Sequence, residues 1–497
     1  MRARSRAAFA VWRGRHVRKA GDRGYVVYMV LMVALVAVAP VARAVWLSAT
    51  GPEGVALLAS PAAPGVTALV VAVLWASGLL FGRDRGPAVL PPFLTYALAT
   101  SDLPRSDTLR GPVLRAGAVV CSVTMIIAGL IGGSLLTNGL ADPLDVAVFT
   151  VAGALVGAIA TVAWLGGQAF PRAAGAIALV TIALGATAAF IPSLLPFTPW
   201  GWAGIAYPGS ESPQALAALF ACSVALVAMA PMLMNRIGHG ELAAQAARWD
   251  SATTHASGMD FSTAASVYRR RPHRGRGVPA VRSGRGMPVT FLLRDAIGAT
   301  RTPGRLVVGG LAVVGAGVLM TFAFAPDSPG WVVGAAAGVV LFAGLGPFTD
   351  GVRHAVSIAS DLPLYGISDE RLLANHLLFP STAVGALLLG AVVVGAAVVG
   401  IAVAAPALSV LALGFLLLIA RVNDALKGPL PPALLAPVPT PMGDVGAGIR
   451  MAWALDALLL AAAAGASAAL VLQAPVLFVG VSVALLGMGV NRWQRRS

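Results

Sequence analysis

Few side chains in this sequence have the type and spacing to do chemistry, and the most conspicuous of them recur. Residues 101–110 read Ser101-Asp102-Leu103-Pro104-Arg105-Ser106-Asp107-Thr108-Leu109-Arg110. A second copy reads Ser360-Asp361-Leu362-Pro363 and resumes after a short insertion as Ser368-Asp369-Glu370-Arg371-Leu372. Each is a polar island that follows a pair of long apolar runs, and the repetition at matching places points to a tandem duplication. The chemistry on offer is conformational. Proline disfavours helix at the residue before it, so Leu-Pro closes whatever precedes it. Ser106 and Ser368 can then cap a new short helix, with Asp107, Asp369 and Glu370 in its first turn, where acids complement the helix dipole. Leu109 and Leu372 would give that helix an apolar contact, and Arg110 and Arg371 would project from it. The predicted product is a short rigid helix between two spans, able to pass force to or from a partner.

Catalytic chemistry finds no comparable footing. A phosphate-cradling loop needs Gly-x-x-x-x-Gly-Lys followed by Ser or Thr; the only lysines, Lys19 and Lys427, lack that context, so the chain does not hydrolyse ATP by this route. The six histidines, His16, His239, His255, His273, His354 and His376, fall in loops or flanks and none has His-Glu-x-x-His spacing, so no metal site is expected. Cys121 and Cys222 sit in apolar runs and read as small buried hydrophobes. Glu53, Asp142, Glu211 and Asp327 are scattered through outer loops and form no acid-base constellation. Asp456 is the candidate intramembrane ionisable residue, with Asp145 behind it. Each lies near a span end, where pairing or snorkelling outweighs proton relay. No catalytic residue is assigned.

The elements that must position these residues follow from composition. With 58% hydrophobic and 11% charged residues and a mean hydropathy of +0.83, the chain departs from a soluble domain, whose charged fraction is about 25%. The expected class is all-α, a polytopic helical membrane protein. Crossing a hydrocarbon core takes roughly 20 apolar residues, which places about twelve helices near 26–47, 65–82, 114–136, 145–167, 173–192, 214–235, 304–325, 330–347, 379–400, 402–420, 452–471 and 475–491. The net charge of +15 is not spread evenly. Arg and Lys fill alternate loops, while 51–64, 137–144, 192–213, 326–330, 405–406 and 473–475 contain neither. That is the positive-inside pattern, and it puts both termini and both polar islands in the cytoplasm, with the chain in the plasma membrane. It also accounts for the charge without nucleic acid.

Halving the list gives two six-span halves, 1–237 and 288–497, each led by a basic amphipathic segment: Ala8 to Arg13 in the first, Phe291 to Ile297 in the second. Between them 238–287 carries Arg269-Arg270-Arg271, Arg274, Arg276, Arg282 and Arg285 among Gly, Pro and Ser, and is expected to be a disordered cytoplasmic linker drawn to anionic lipid.

Two amphipathic lead-in segments, each followed by two spans, a short Leu-Pro-x-Ser type cytoplasmic helix and four more spans, make the chain resemble permease subunits of bacterial ABC-2 type (type II exporter) transporters, as a fused pair. The resemblance implies that Ser101 to Arg110 and Asp361 to Leu372 are coupling helices that dock onto a cytoplasmic ABC ATPase. It further implies two ATPase copies, ATP used only through that partner, and export of a hydrophobic, amphipathic or lipid-like solute. It also implies a loop of re-entrant character before the last span of the first half, fitted by Pro192 to Pro213 with Trp200, Trp202 and Tyr207; an interfacial aromatic belt is the other reading of those rings. The rival function is a stand-alone secondary transporter or lipid flippase without an ATPase.

Overall fold

The computed structural model describes residues 39–101, 103–209, 213–257, 260–269, 286–326, 328–359, 366–427 and 443–495, with scattered positions between and before these. The chain is a polytopic α-helical membrane protein. Among the described residues nine helices are long and apolar enough to cross a bilayer. The chain divides into two compact units, Met1–Ser257 with Ser262–Tyr268, and Gly258–Phe261 with Arg269–Ser497.

In unit 1, α1 (Ala39–Thr50) and α2 (Pro52–Leu58) precede α3 (Ala63–Asp84), α4 (Pro92–Ala99) and α5 (Arg105–Thr108). Then come α6 (Arg110–Thr137), α7 (Pro143–Ala169), α8 (Ala174–Phe190), a 3-10 turn (Pro192–Phe197), α9 (Pro199–Ile205), α10 (Pro213–Arg236), α11 (His239–Ser257) and α12 (Phe261–Ser266). Unit 2 holds α13 (Met287–Thr300), α14 (Pro303–Ala323), α15 (Gly330–Gly344), α16 (Asp350–Ile358), α17 (Asp369–Val399) and α18 (Ala404–Leu426). A two-residue antiparallel pair, Pro439–Thr440 with Gly443–Asp444, leads to α19 (Val445–Ala469) and α20 (Pro475–Gln494).

The nine full-length helices are α3, α6, α7, α10, α14, α17, α18, α19 and α20. Two expected spans are shorter: α8 has 17 residues and α15 has 15, a rise of only about 22 Å for the latter. Each is cut by proline chemistry. Pro192 follows α8, and Pro347 lies just beyond α15. The span expected at 26–47 lies largely outside the described residues, and only its end is seen, in α1. The break expected at Ala405-Pro406 falls earlier. Gly400 closes α17 in the left-handed region at φ 76°, its N–H and that of Ile401 both bonding the Ala396 carbonyl. Pro406 sits in the first turn of α18, where a missing N–H costs no helical bond.

The second span of unit 1, α3, packs on the fifth and fourth, α8 and α7; α6 packs on α7, α7 on α10, and α1 on α6. Unit 2 repeats these pairings with α15 on α19 and α18, α17 on α18, α18 on α20, and α14 on α17. Close approach rests on small residues, such as Gly153 and Gly157 of α7 against Cys121, Thr124 and Ala128 of α6. Phe190, Leu144, Leu472 and Val476 stay exposed, an apolar exterior suited to lipid as solvent.

Two expectations are revised. The linker reading of 238–287 fails over its first part, because 239–257 form α11 within unit 1. Its buried positions Leu242, Gln245, Ala246 and Ala252 recur at helical spacing. Within the segment expected at 192–213, the described residues 192–209 turn inward: Trp200 stacks edge-on to Trp75 at 6.4 Å, and Tyr207 packs on Phe149 at 5.2 Å while donating to the Leu58 carbonyl at 2.8 Å. Trp200 and Tyr207 are buried core residues of unit 1 and the half-buried Trp202 packs against the same core; burial pushes the Tyr207 hydroxyl up to about 12.

Candidate functional site

In unit 1 the polar island is built on α4 and α5. Thr100 and Ser101 bend back to the Tyr96 and Leu98 carbonyls and end α4. Pro104, extended at φ −62° and ψ 138°, starts α5 at once. Pro112 lacks the N–H that would bond the Thr108 carbonyl, so α5 stays a four-residue helix distinct from α6. The short helix is therefore present, but Ser106 does not cap it, because the helix begins one residue earlier. The Ser106 N–H instead donates to the side-chain oxygen of Asn235, at the end of α10, at 2.9 Å. Leu109 is buried with Leu90, Leu94, Leu98, Leu233 and Leu242, while Asp107 and Arg110 face out. Trp12 of the first lead-in segment packs on the same cluster. Asp102 lies outside the described residues.

The second copy differs. Asp361, Leu362 and Pro363 lie outside the described residues. Ser368 caps as expected, accepting from the Arg371 N–H at 3.4 Å, yet the helix it caps is the 31-residue α17. The short separate helix expected there is replaced by the first turns of a span. Pro380 lies inside that helix and leaves the His376 carbonyl without its ladder partner, but the helix runs on through it. Leu372 is buried; Glu370 and Arg371 are exposed. Glu370 accepts from the indole N–H of Trp493, at the end of α20, at 3.3 Å. In each unit, then, the polar element after the second span is bonded to the C-terminal end of the sixth. Ser368→Ala should cost about 1 kcal/mol and speed amide exchange at 369–372, whereas Ser106→Ala should stay within about 0.5 kcal/mol of the parent in a thermal melt.

Three polar clusters join these elements; sequence reasoning missed two of them entirely and, in the third, saw only Asp456 and not its partners. In unit 1, Gln168 and Gln245 are both buried and bonded to each other at 3.0 Å. The Gln245 side-chain oxygen accepts from the Gly86 N–H at 2.9 Å, that of Gln168 accepts from the Ala88 N–H at 3.2 Å, and Glu241 accepts from the Gln245 amide at 2.9 Å. These bonds fasten α11 to the segment joining α3 and α4. In unit 2, His376 is 0% exposed. Its Nδ1 meets Asp295 at 2.6 Å and its Nε2 meets the Arg294 guanidinium at 3.2 Å. Arginine only donates, so Nε2 accepts and the proton rides on Nδ1. The Phe291 ring lies edge-on at 4.9 Å, and no side chain fits at Gly351 beside the pair. The second lead-in helix, α13, is thus pinned to the start of α17. His354 of α16 is 6.1 Å from His376 and is held below the usual imidazole range by burial first, then by the Arg294 guanidinium.

The third cluster contains the candidate intramembrane acid. Asp456 lies between Lys427 at 2.5 Å and Arg492 at 2.6 Å, and accepts from the Ala457 N–H. Lys427 also reaches the Trp453 carbonyl, and Arg492 the Asn423 carbonyl at 2.9 Å. An acid bridged by two cations acts as a tether for α18, α19 and α20. Among the described residues no group of His, Cys, Asp or Glu is placed to hold a metal ion. Comparison of the chain with protein-family models, with curated proteins and with solved structures finds no match.

Proposed function

We propose that this multi-pass membrane protein is the permease of an exporter powered by a separate cytoplasmic ABC ATPase, with both halves of the duplication in one chain. On this reading the basic end of each unit faces the cytoplasm, α5 and the first turn of α17 receive the ATPase, and the cargo is hydrophobic, amphipathic or lipid-like. One observation carries it: the exposed polar element after the second span is hydrogen-bonded to the end of the sixth span in both units, through Asn235 and through Trp493. A push on that element therefore reaches a distant span directly. The two contacts differ, a separate four-residue helix in one unit and a continuous span in the other, so the two ATPase interactions are unequal.

The test is affinity purification of the tagged chain from its native membrane. An ATP-binding subunit should co-purify, and reversing charge at Asp102, Asp107, Asp361 and Asp369 together should strip it at least tenfold while the chain stays folded by its size-exclusion profile. Recovery without any ATPase, with transport sustained by a proton gradient alone, would favour a secondary transporter or flippase.

A further inference from the structure

The basic end of unit 2 is overfilled with guanidinium groups. Arg305, third residue of α14, forms a two-pronged pair with Asp350 at the start of α16. One turn on, Arg353 reaches Asp424 of α18 at 3.9 Å, and Arg421, a turn before Asp424, shares the same carboxylate at 3.6 Å. Arg269 lies within electrostatic reach of Asp350, Arg305 and Asp424. Among the described residues three arginines, Arg305, Arg353 and Arg421, thus share two carboxylates, and the exposed Arg269 adds a fourth positive charge within electrostatic reach, a surplus of two. The setting is not open water. The side chain of Arg421 is 8% exposed and that of Arg353 23%. Arg421 lies over the Phe342 ring at 3.8 Å and donates to the Phe342 carbonyl, yet its Nε has no partner among the described residues.

Topogenic charge places Arg and Lys in exposed loops; it does not call for an arginine buried in a span and sharing an acid with a second arginine. Desolvated surplus cations are costly unless an anion joins them. Guanidinium forks match phosphate oxygens two at a time, and an anion with several oxygens can bridge forks arriving from separate helices.

We propose that the basic end of unit 2 binds a phosphate group, held by Arg269, Arg305, Arg353 and Arg421. The phosphate is carried by an anionic lipid headgroup or by a free phosphorylated solute. The site does not depend on the ATPase reading.

The test uses the full chain, stripped of lipid in detergent, with unfolding followed by tryptophan fluorescence during titration with phosphatidylglycerol, phosphatidylcholine or inorganic pyrophosphate. Phosphatidylglycerol should raise the unfolding temperature saturably and phosphatidylcholine should not. Pyrophosphate that stabilises and competes assigns a free phosphate, and pyrophosphate without effect assigns the headgroup. Arg353→Gln should weaken the apparent affinity about tenfold, and Asp350→Asn, which adds to the surplus, should strengthen it by a similar factor. Loss of folding moves neither affinity in opposite senses, so a structural role alone cannot mimic that pair of results. Equal effects of the two lipids with none from pyrophosphate, or shifts of both variants in the same direction, or no shift in either, would overturn the proposal.

Discussion

Gly338→Leu should abolish a folded unit 2, although leucine is the better helix former. A Cβ at position 338 of α15 would run into the backbone carbonyl of Ala461 on α19, and one turn earlier Gly334 meets Gly465 in the same way. Neither obstacle is a side chain that can rotate aside, so α15 and α19 must separate. Overpacking costs about 1–3 kcal/mol where side chains can adjust, and a backbone clash at the pairing that joins second span to fifth should exceed that range. The matched control is Gly310→Leu on α14, where a Cβ meets nothing within 4 Å. Size-exclusion profile and thermal unfolding in detergent decide the matter: the first variant should aggregate or melt far earlier, the second should behave as the parent. Equal behaviour would mean that α15 and α19 are not packed through these glycines.

The second large effect is at Asp456. Asp456→Leu leaves Lys427 and Arg492 together without their acid, and breaking a buried pair by removing one partner costs about 3–5 kcal/mol. Lys427 is the more deeply buried cation, its side chain 9% exposed against 20% for Arg492. Adding Lys427→Met to Asp456→Leu should therefore recover most of the loss, a coupling that a double-mutant cycle measures in denaturant or thermal unfolding. A loss below about 1 kcal/mol, with no recovery in the double variant, would remove the tether from the account. Preserved stability in Asp456→Asn combined with lost proton-driven transport would restore the relay role.

The spans were legible because the bilayer imposes a local rule. A helix must run for about 20 apolar residues and satisfy its own backbone, so α3, α6, α7 and α10 sit within a few residues of their expected places. The Ser368 cap is equally local, a hydroxyl answering an N–H three residues on. Ser106 misled for a reason equally close at hand. Pro104 had already set the dihedral that starts α5, which left the hydroxyl inside the helix. The stripe Leu242, Gln245, Ala246 and Ala252 was also readable as a helix face, but the density of arginine further along the segment obscured it.

Chemistry between distant residues was not readable in the same way. Gln168 and Gln245 are 77 positions apart, and His376 and Asp295 are separated by 81; nothing in either neighbourhood announces its partner. Their bonds exist because helix packing carries both ends into water-poor ground, where an unpaired amide or imidazole would be costly and a paired one is stable. Asp456 shows both levels at once. Hydropathy alone marked it as an acid in an apolar run, and only the convergence of α18, α19 and α20 supplied the two cations that make it a tether. Composition and spacing set which segments enter the membrane and at which end charge collects, because those depend on the solvent around each residue. Which polar groups meet depends on how the helices pack against one another, and that is a property of the folded units.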